Sequence, residues 1–166
     1  MGAEGRYEDY ELLSLIEQEW KRPPPIQASH FASGMSARAA VVVLYWTYFE
    51  TRMARLVQRG MADLPDLYRK RINDRSQNIT TYMHDTYKQV YGVTYYDDLS
   101  SVGSEHIAGH LAQVQDSRNR FIHGEPRAVS DRVVERVVSR LYEEHEAWID
   151  VFNLRLRERR LPLRQR

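Results

Sequence analysis

The sequence predicts an all-α fold, a bundle of four to five helices joined by short connections. Three observations predict it. Apolar residues recur every three or four positions through long segments, prolines and glycines interrupt the chain between those segments, and helix-capping residues stand where the segments begin. With 166 residues, the chain can bury most of its apolar surface in one domain without covalent cross-links. We therefore expect a single helical domain over residues 1–166.

The N-terminal part of the chain divides into a first helix, a linker and a long second helix. Apolar residues at helical spacing run from Tyr7 to Lys21, and three prolines beginning at Pro23 stop this helix. A proline-rich linker is expected at about residues 22–33. The second helix should run from Ser36 to Gly60, because glycine readily takes the left-handed conformation that ends a helix.

The apolar run from Ala39 to Phe49 inside the second helix has two interpretations. Its β-branched and aromatic residues favour a strand by propensity, but no turn signal separates it from the helical pattern that continues to Val57. We interpret the run as helix, apolar on nearly all sides and therefore central to a bundle or to a dimer. It is far shorter than the roughly 20 apolar residues that a membrane-spanning helix requires.

Three more helical regions follow in the C-terminal part. The first opens at Pro65 and runs toward Tyr91, with a break near residues 73–76 as an alternative to one continuous helix. Residues from Tyr95 to Gly103 are expected to be irregular. The next helix begins at Glu105, and the last begins at Ser130 or Asp131, either of which can cap it.

The end of the last helix is rich in arginine. Residues 155–166 contain six arginines and one glutamate, so this basic tail is suited to binding phosphates. The alternative is a solvated helix end whose arginines complement the helix dipole.

Composition excludes several classes of chemistry. The chain has no cysteine, which rules out disulfides, thiolate catalysis and cysteine-ligated metal sites. Residues 1–9 are polar and acidic, unlike a secretory signal, and no glycine-rich phosphate loop or serine nucleophile elbow occurs. We expect a cytoplasmic protein that uses neither a membrane segment nor a metal nor an organic cofactor.

The segment from Arg118 to Gly124, with the sequence RNRFIHG, carries the strongest functional signal. Arg118 offers a permanently charged fork of donors that matches phosphate oxygens, and His123 can exchange a proton near neutral pH. Together with the amide of Asn119, these groups are suited to cleaving RNA without a metal. The alternative is structural, with Arg118 paired inside the fold and His123 an ordinary residue near a helix end.

Arg118 lies on the predicted core face of its helix. Ile107, Leu111 and Val114 precede it at core spacing, and the arginine stands where a leucine is expected. A cation drawn into a packed face needs a carboxylate or a ligand anion. Glu50, which closes the apolar run of the second helix, is our candidate partner. The alternative is that both side chains reach water at the rim of the bundle.

Arg118 and His123 would not share a face of a continuous helix. They are five residues apart, or about 140° around the axis, whereas Asn119 and His123 are four apart and do share a face. Either the helix unwinds before His123, or the arginine and histidine that act together come from two chains. Both alternatives lead to a composite pocket.

This segment resembles the signature of HEPN domains, an arginine followed after four to six residues by a histidine. Here the spacing is four, Asn119 is the polar residue that the family favours after the arginine, and Gly124 follows the histidine. The resemblance covers the motif closely and the remainder of the chain as architecture. Within the superfamily the chain is most similar to the stand-alone HEPN proteins of prokaryotic toxin and defence systems.

The resemblance implies a homodimer whose Arg and His motifs line one cleft, and a metal-independent endoribonuclease activity on an RNA substrate. Arg118, Asn119 and His123 would be the catalytic residues, and a cognate antitoxin protein would be a further partner. Weaker contacts to the RNA backbone are expected from arginines outside this set, namely Arg120, Arg127, Arg155 and Arg157. The rival hypothesis is a non-catalytic helical module for dimerisation or RNA binding, in which Arg118 and Glu50 form a buried structural pair.

Overall fold

The computed structural model describes residues 4–23, 34–75 and 82–160. The described residues form seven α-helices, namely α1 (Glu4–Lys21), α2 (Ala39–Gly60), α3 (Asp66–Arg75), α4 (Tyr87–Tyr91), α5 (Tyr95–Ser101), α6 (Glu105–Ile122) and α7 (Asp131–Arg160). A π-helical turn, Tyr82–Thr86, precedes α4, and a 3-10 turn, Pro126–Ala128, precedes α7. No strand occurs in these three ranges, so the all-α prediction is confirmed.

The helix boundaries agree with the sequence in most places. The ambiguous run from Ala39 to Phe49 is helix, as interpreted, and most of its side chains are buried. The predicted linker at 22–33 lies outside the described residues beyond Pro23. None of the helices in the described ranges combines the length and the apolar character that crossing a bilayer demands.

The segment expected to be irregular, Tyr95 to Gly103, instead begins with helix α5. The Asp97 amide donates to Oγ1 of Thr94 at 3.2 Å, and the Thr94 amide donates to Oδ2 of Asp97 at 2.8 Å. This reciprocal pair is a capping box, which satisfies two backbone donors that a helix start otherwise leaves open. The threonine and the aspartate three residues later were the sequence signal for it.

Gly60 is the last residue of α2, but the reason that this position must be glycine differs from the one expected. Its backbone is not left-handed, since the glycines with positive φ among the described residues are Gly34, Gly92, Gly103 and Gly124. A Cβ atom placed on Gly60 would lie 2.2 Å from Cγ1 of Val90 and 2.7 Å from Cζ of Tyr91. Close approach of these side chains, and not backbone conformation, requires the glycine.

The described chain divides into two compact units, the first made of residues 1–49 and 110–142 and the second of residues 50–109 and 143–166. In the first unit, the core consists of apolar side chains from four helices, among them Leu13, Ile16, Val41, Trp46, Leu111, Val114, Val137 and Leu141. Ser36, just before α2, is tied to residues near the start of α7. Its amide donates to the carbonyl oxygen of Val129 at 2.8 Å, and its hydroxyl donates to Oδ1 of Asp131 at 2.6 Å.

The second unit contains a buried polar triad, Tyr87, Asp98 and Arg155, beside its apolar core. Nε of Arg155 donates to Oδ2 of Asp98 at 2.6 Å, the guanidinium makes a second bond to Oδ1, and the Tyr87 hydroxyl donates to Oδ2. Burial raises the pKa of the Tyr87 hydroxyl, and the neighbouring Asp98 raises it further. The carboxylate of Asp98 is therefore held by donors from two other elements of the unit.

Candidate active site at the end of helix α6

The residues of the RNRFIHG segment lie in the last turn of α6 and in the turn that closes it. The amide of His123 donates to the carbonyl oxygen of Asn119 at 3.0 Å, so helical hydrogen bonding continues as far as His123. Gly124 then takes a left-handed conformation, with φ of 95°. The α-helix itself ends at Ile122, so His123 lies at its boundary with the turn, and both alternatives for bringing Arg118 and His123 together stay predictions.

Asn119 is bonded to both of the other candidate catalytic residues. Its backbone oxygen accepts the amide of His123, and its side-chain Oδ1 accepts a hydrogen bond from Nη1 of Arg118 at 3.1 Å. Asn119 and His123 are four residues apart on a continuous helix, so their side chains project on the same side of the axis. Arg118 lies about 140° from His123 around that axis.

Arg118 occupies the edge of the buried face that the sequence predicted. Ile107, Leu111 and Val114 are each 1% exposed, whereas Arg118 is half-buried. Its Nε is enclosed and has no hydrogen-bond partner among the described residues. A charged donor withdrawn from water without an acceptor is costly, but an enclosed Nε has no surface for an anion to contact, so an anion would have to bind at the terminal nitrogens of the guanidinium.

The predicted core stripe ends at Arg118. Phe121 and Ile122 continue the apolar spacing beyond Arg118, but Phe121 is half-buried and Ile122 is 48% exposed. His123 is exposed as well. The last turn of α6 therefore presents an imidazole and an apolar side chain to the surroundings, next to a half-buried cation.

Glu50, the predicted partner of Arg118, lies in α2 and is half-buried. It begins the second unit, whereas Arg118 belongs to the first. The Arg118–Glu50 pair stays a prediction.

Arg120, a predicted RNA contact, is engaged by carboxylates. Its Nε and Nη2 donate to Oε2 of Glu125 at 2.9 and 2.7 Å, and its Nη1 lies 3.8 Å from Oδ2 of Asp116. The hydrogen bond to Glu125 raises the pKa of the arginine. An RNA phosphate would have to compete with both carboxylates for this side chain.

The other predicted RNA contacts differ in exposure. Arg127 is exposed in the 3-10 turn and stays a prediction. Arg155 is 9% exposed and bound to Asp98, so the expected basic tail does not begin there, and we withdraw Arg155 as an RNA contact. The side chain of Arg157 and residues 161–166 lie outside the described part of the chain.

Sequence reasoning missed Glu125 and Asp116 as neighbours of the site. The signal for Glu125 was available, because a glycine that ends a helix places the residue after it close to the residue four positions before that glycine. Here those two residues are Glu125 and Arg120. Asp116 is one helical turn before Arg120, the spacing at which opposite charges on a helix meet.

Comparison with protein-family models, with curated proteins and with solved structures finds no match for this chain. The described site consequently rests on its own residues. It joins a half-buried arginine, an asparagine bonded to it, and an exposed histidine at a helix end. Its side chains include donors suited to an anion and an imidazole of a kind that can exchange protons.

Proposed function

We propose that the chain is a metal-independent endoribonuclease of the HEPN type, acting as a toxin or defence enzyme in the cytoplasm. The observation that carries the proposal is the side-chain hydrogen bond from Nη1 of Arg118 to Oδ1 of Asn119, four residues before His123 on the same helix. The arginine has an enclosed Nε without an acceptor in the described residues, and the histidine is accessible to a substrate. These are the groups that phosphodiester transfer needs.

In the proposed reaction, the ribose 2′-hydroxyl attacks the adjacent phosphorus. The bond from O2′ to phosphorus forms, the bond from phosphorus to O5′ breaks, and the products carry a 2′,3′-cyclic phosphate and a 5′-hydroxyl. His123 removes the proton of the 2′-hydroxyl or delivers a proton to the leaving O5′. Arg118 binds the phosphate and stabilises the charge that builds on its oxygens, while Asn119 holds the guanidinium.

The geometry of α6 supports a site assembled from two chains. Positions 118 and 123 are about 140° apart around the axis of an ideal helix, so one chain does not present the two residues on one face. A second copy can bring its histidine to the arginine of the first, and two copies of His123 can divide the roles of acid and base. We therefore propose a homodimer, restrained in the cell by an antitoxin protein.

The decisive experiment compares wild-type protein and His123→Ala on structured and unstructured RNA in excess EDTA. We expect cleavage by the wild-type protein and a loss of at least about 100-fold in the variant, the contribution of a positioned proton-transfer group. His106→Ala is the matched control, because His106 is also an exposed histidine of α6. Its Nε2 lies 2.5 Å from Oε1 of Glu143. Equal cleavage by wild type and His123→Ala would remove the assignment.

The second candidate function is a non-catalytic dimerisation or RNA-binding module, and the half-buried position of Arg118 is the observation that favours it. If Arg118 is half of a structural ion pair, Arg118→Ala should lower the free energy of unfolding by about 3–5 kcal/mol, the cost of leaving a buried charge unpaired. If Arg118 is catalytic, the variant should lose cleavage and keep its melting temperature. Thermal unfolding beside the cleavage assay distinguishes the two functions.

A further inference from the structure

The turn that follows α6 has the hydrogen bonds of a Schellman motif. The Gly124 amide donates to the carbonyl oxygen of Phe121 at 3.1 Å, and the Glu125 amide donates to that of Arg120 at 3.0 Å. Gly124 supplies the left-handed residue, with φ of 95°. In this arrangement His123 is the C-cap residue, between the last helical residue, Ile122, and the left-handed Gly124.

A Schellman motif is usually completed by an apolar contact between the residues at the two ends of its longer hydrogen bond. Here those residues are Arg120 and Glu125, and an ion pair takes the place of the apolar contact. Both hydrogen bonds to Oε2 of Glu125, at 2.9 and 2.7 Å, have the length expected of charge-assisted bonds. The same two residues are thus joined through the backbone and through their side chains.

A further carboxylate lies near the other terminal nitrogen of the arginine. Oδ2 of Asp116 lies 3.8 Å from Nη1 of Arg120, one turn earlier on α6. Arg120 is therefore hydrogen-bonded to the residue after Gly124 and has a longer ion-pair contact within its own helix. The loop of chain closed by the Arg120–Glu125 pair contains His123.

We propose that Arg120 and Glu125 are a positioning pair that holds His123 in its orientation beside Asn119. This inference rests on the proposed function and assigns Arg120 to the support of the histidine, in place of a contact with RNA. Both side chains are exposed, and exposed pairs contribute little and are screened by salt. The effect on the rate is accordingly a matter of a few-fold, and it diminishes as the salt concentration rises.

The test is a double-mutant cycle with Arg120→Gln, Glu125→Gln and the double variant, followed by amide hydrogen exchange of Gly124 and Glu125. In each single variant the amides of residues 124 and 125 should exchange about 1.5- to 5-fold faster than in wild type, the range that corresponds to the free energy of an exposed ion pair. The double variant should match the single variants, because either substitution already removes the interaction. Asp116→Asn, which removes only the longer contact, should have the smallest effect.

Cleavage kinetics distinguish positioning from RNA binding. A positioning pair predicts that Glu125→Gln lowers kcat by about 2- to 5-fold with KM and its salt dependence unchanged. If Arg120 instead contacts a phosphate, Glu125→Gln frees the arginine and lowers KM, and Arg120→Gln reduces the slope of log affinity against log salt by about 0.7.

The exchange measurement separates this inference from the proposed function. The positioning pair is overturned if the amides of residues 124 and 125 exchange in Glu125→Gln at the wild-type rate. It is also overturned if the effects of the two substitutions add in the double variant. Both outcomes apply even where the wild-type protein cleaves RNA. Wild-type protein that does not cleave RNA removes the proposed function, and the catalytic purpose of the pair with it, even where exchange is faster in the variants.

Discussion

The backbone oxygen of Asn119 accepts the amide of His123 at 3.0 Å, which makes these two residues neighbours along one face of α6. The same asparagine accepts a hydrogen bond from Arg118 through its side chain. Positions 118 and 123 are nevertheless about 140° apart around an ideal helix axis, although the Arg118 guanidinium reaches Asn119. One chain therefore supplies an arginine and a histidine whose backbone positions lie on different sides of the helix.

This divergence predicts complementation between two inactive variants. When Arg118→Ala and His123→Ala chains are co-expressed with different tags, about half of the dimers should be mixed if the chains pair at random. A mixed dimer retains one intact arginine and one intact histidine on different chains. We expect RNA cleavage to return in part in dimers purified through both tags, because the one remaining histidine supplies one of the two proton-transfer roles.

The control for complementation is a dimer in which the Arg118→Ala chain is replaced by a second, differently tagged His123→Ala chain. It contains no histidine at this position and should stay inactive. Absence of cleavage in the Arg118→Ala and His123→Ala mixed dimer would show that both groups must come from one chain.

The neighbouring aspartates of α5 should differ sharply in their effect on stability. Asp98 has a side chain 3% exposed and is bound to Arg155 and Tyr87, so Asp98→Ala leaves a buried cation without its partner. We expect a loss of about 3–5 kcal/mol in the free energy of unfolding, measured by denaturant titration. Asp97→Ala removes only the exposed half of a capping box and should cost less; equal losses would contradict the buried triad.

Gly60 and Gly109 are helical glycines with opposite surroundings. A Cβ on Gly60 would lie 2.2 Å from Cγ1 of Val90, whereas a Cβ on Gly109 would have no atom within 4 Å. Gly60→Ala should destabilise the protein by about 1–3 kcal/mol through overpacking. Gly109→Ala should stabilise it by up to about 1 kcal/mol, because alanine is the better helix former. Melting temperatures that move in the same direction for both variants would contradict this close approach.

The buried carboxyl of Glu144 should make stability depend on pH. Glu144 is 7% exposed, and burial raises its pKa well above the ordinary value of 4.5. The folded state therefore binds this proton more tightly than the unfolded state does. The stabilisation that results is fully present below pH 4.5 and is lost as the pH rises through the raised pKa.

Glu144→Gln should abolish this loss, because glutamine stays neutral at every pH. We expect the variant to be more stable than wild type at pH 7 and the difference to shrink as the pH approaches 4.5. Denaturant titrations across this range measure the effect. Glu143→Gln is the control, since Glu143 is exposed. The difference in free energy of unfolding between Glu143→Gln and wild type should not widen in the same manner as the pH rises.

Local patterns in the sequence were sufficient for the helices and for much of the core. The three-and-four spacing of Ile107, Leu111 and Val114 predicted a buried face that the structure confirms, because a helix turns by a constant angle per residue. The absence of a turn signal after Phe49 was enough to predict one helix in place of a strand. Capping residues were equally informative. Helix α5 was not predicted, although Thr94 and Asp97 have the spacing of a capping box.

Tertiary contacts decided the matters that depend on residues far apart in the chain. Asp97 and Asp98 are adjacent and identical in type. Asp98 is a buried partner because it binds Arg155, 57 positions later in the chain, whereas Asp97 is an exposed capping residue. In the same way Gly60 is required by Val90 and Tyr91, which no local pattern relates to it. The residue types from Arg118 to His123 indicated a functional motif from the sequence alone. Which side of α6 is covered by the core decides that the arginine is half-buried and the histidine exposed. Periodicity is a property of one helix, but burial and charge pairing are properties of what packs against it.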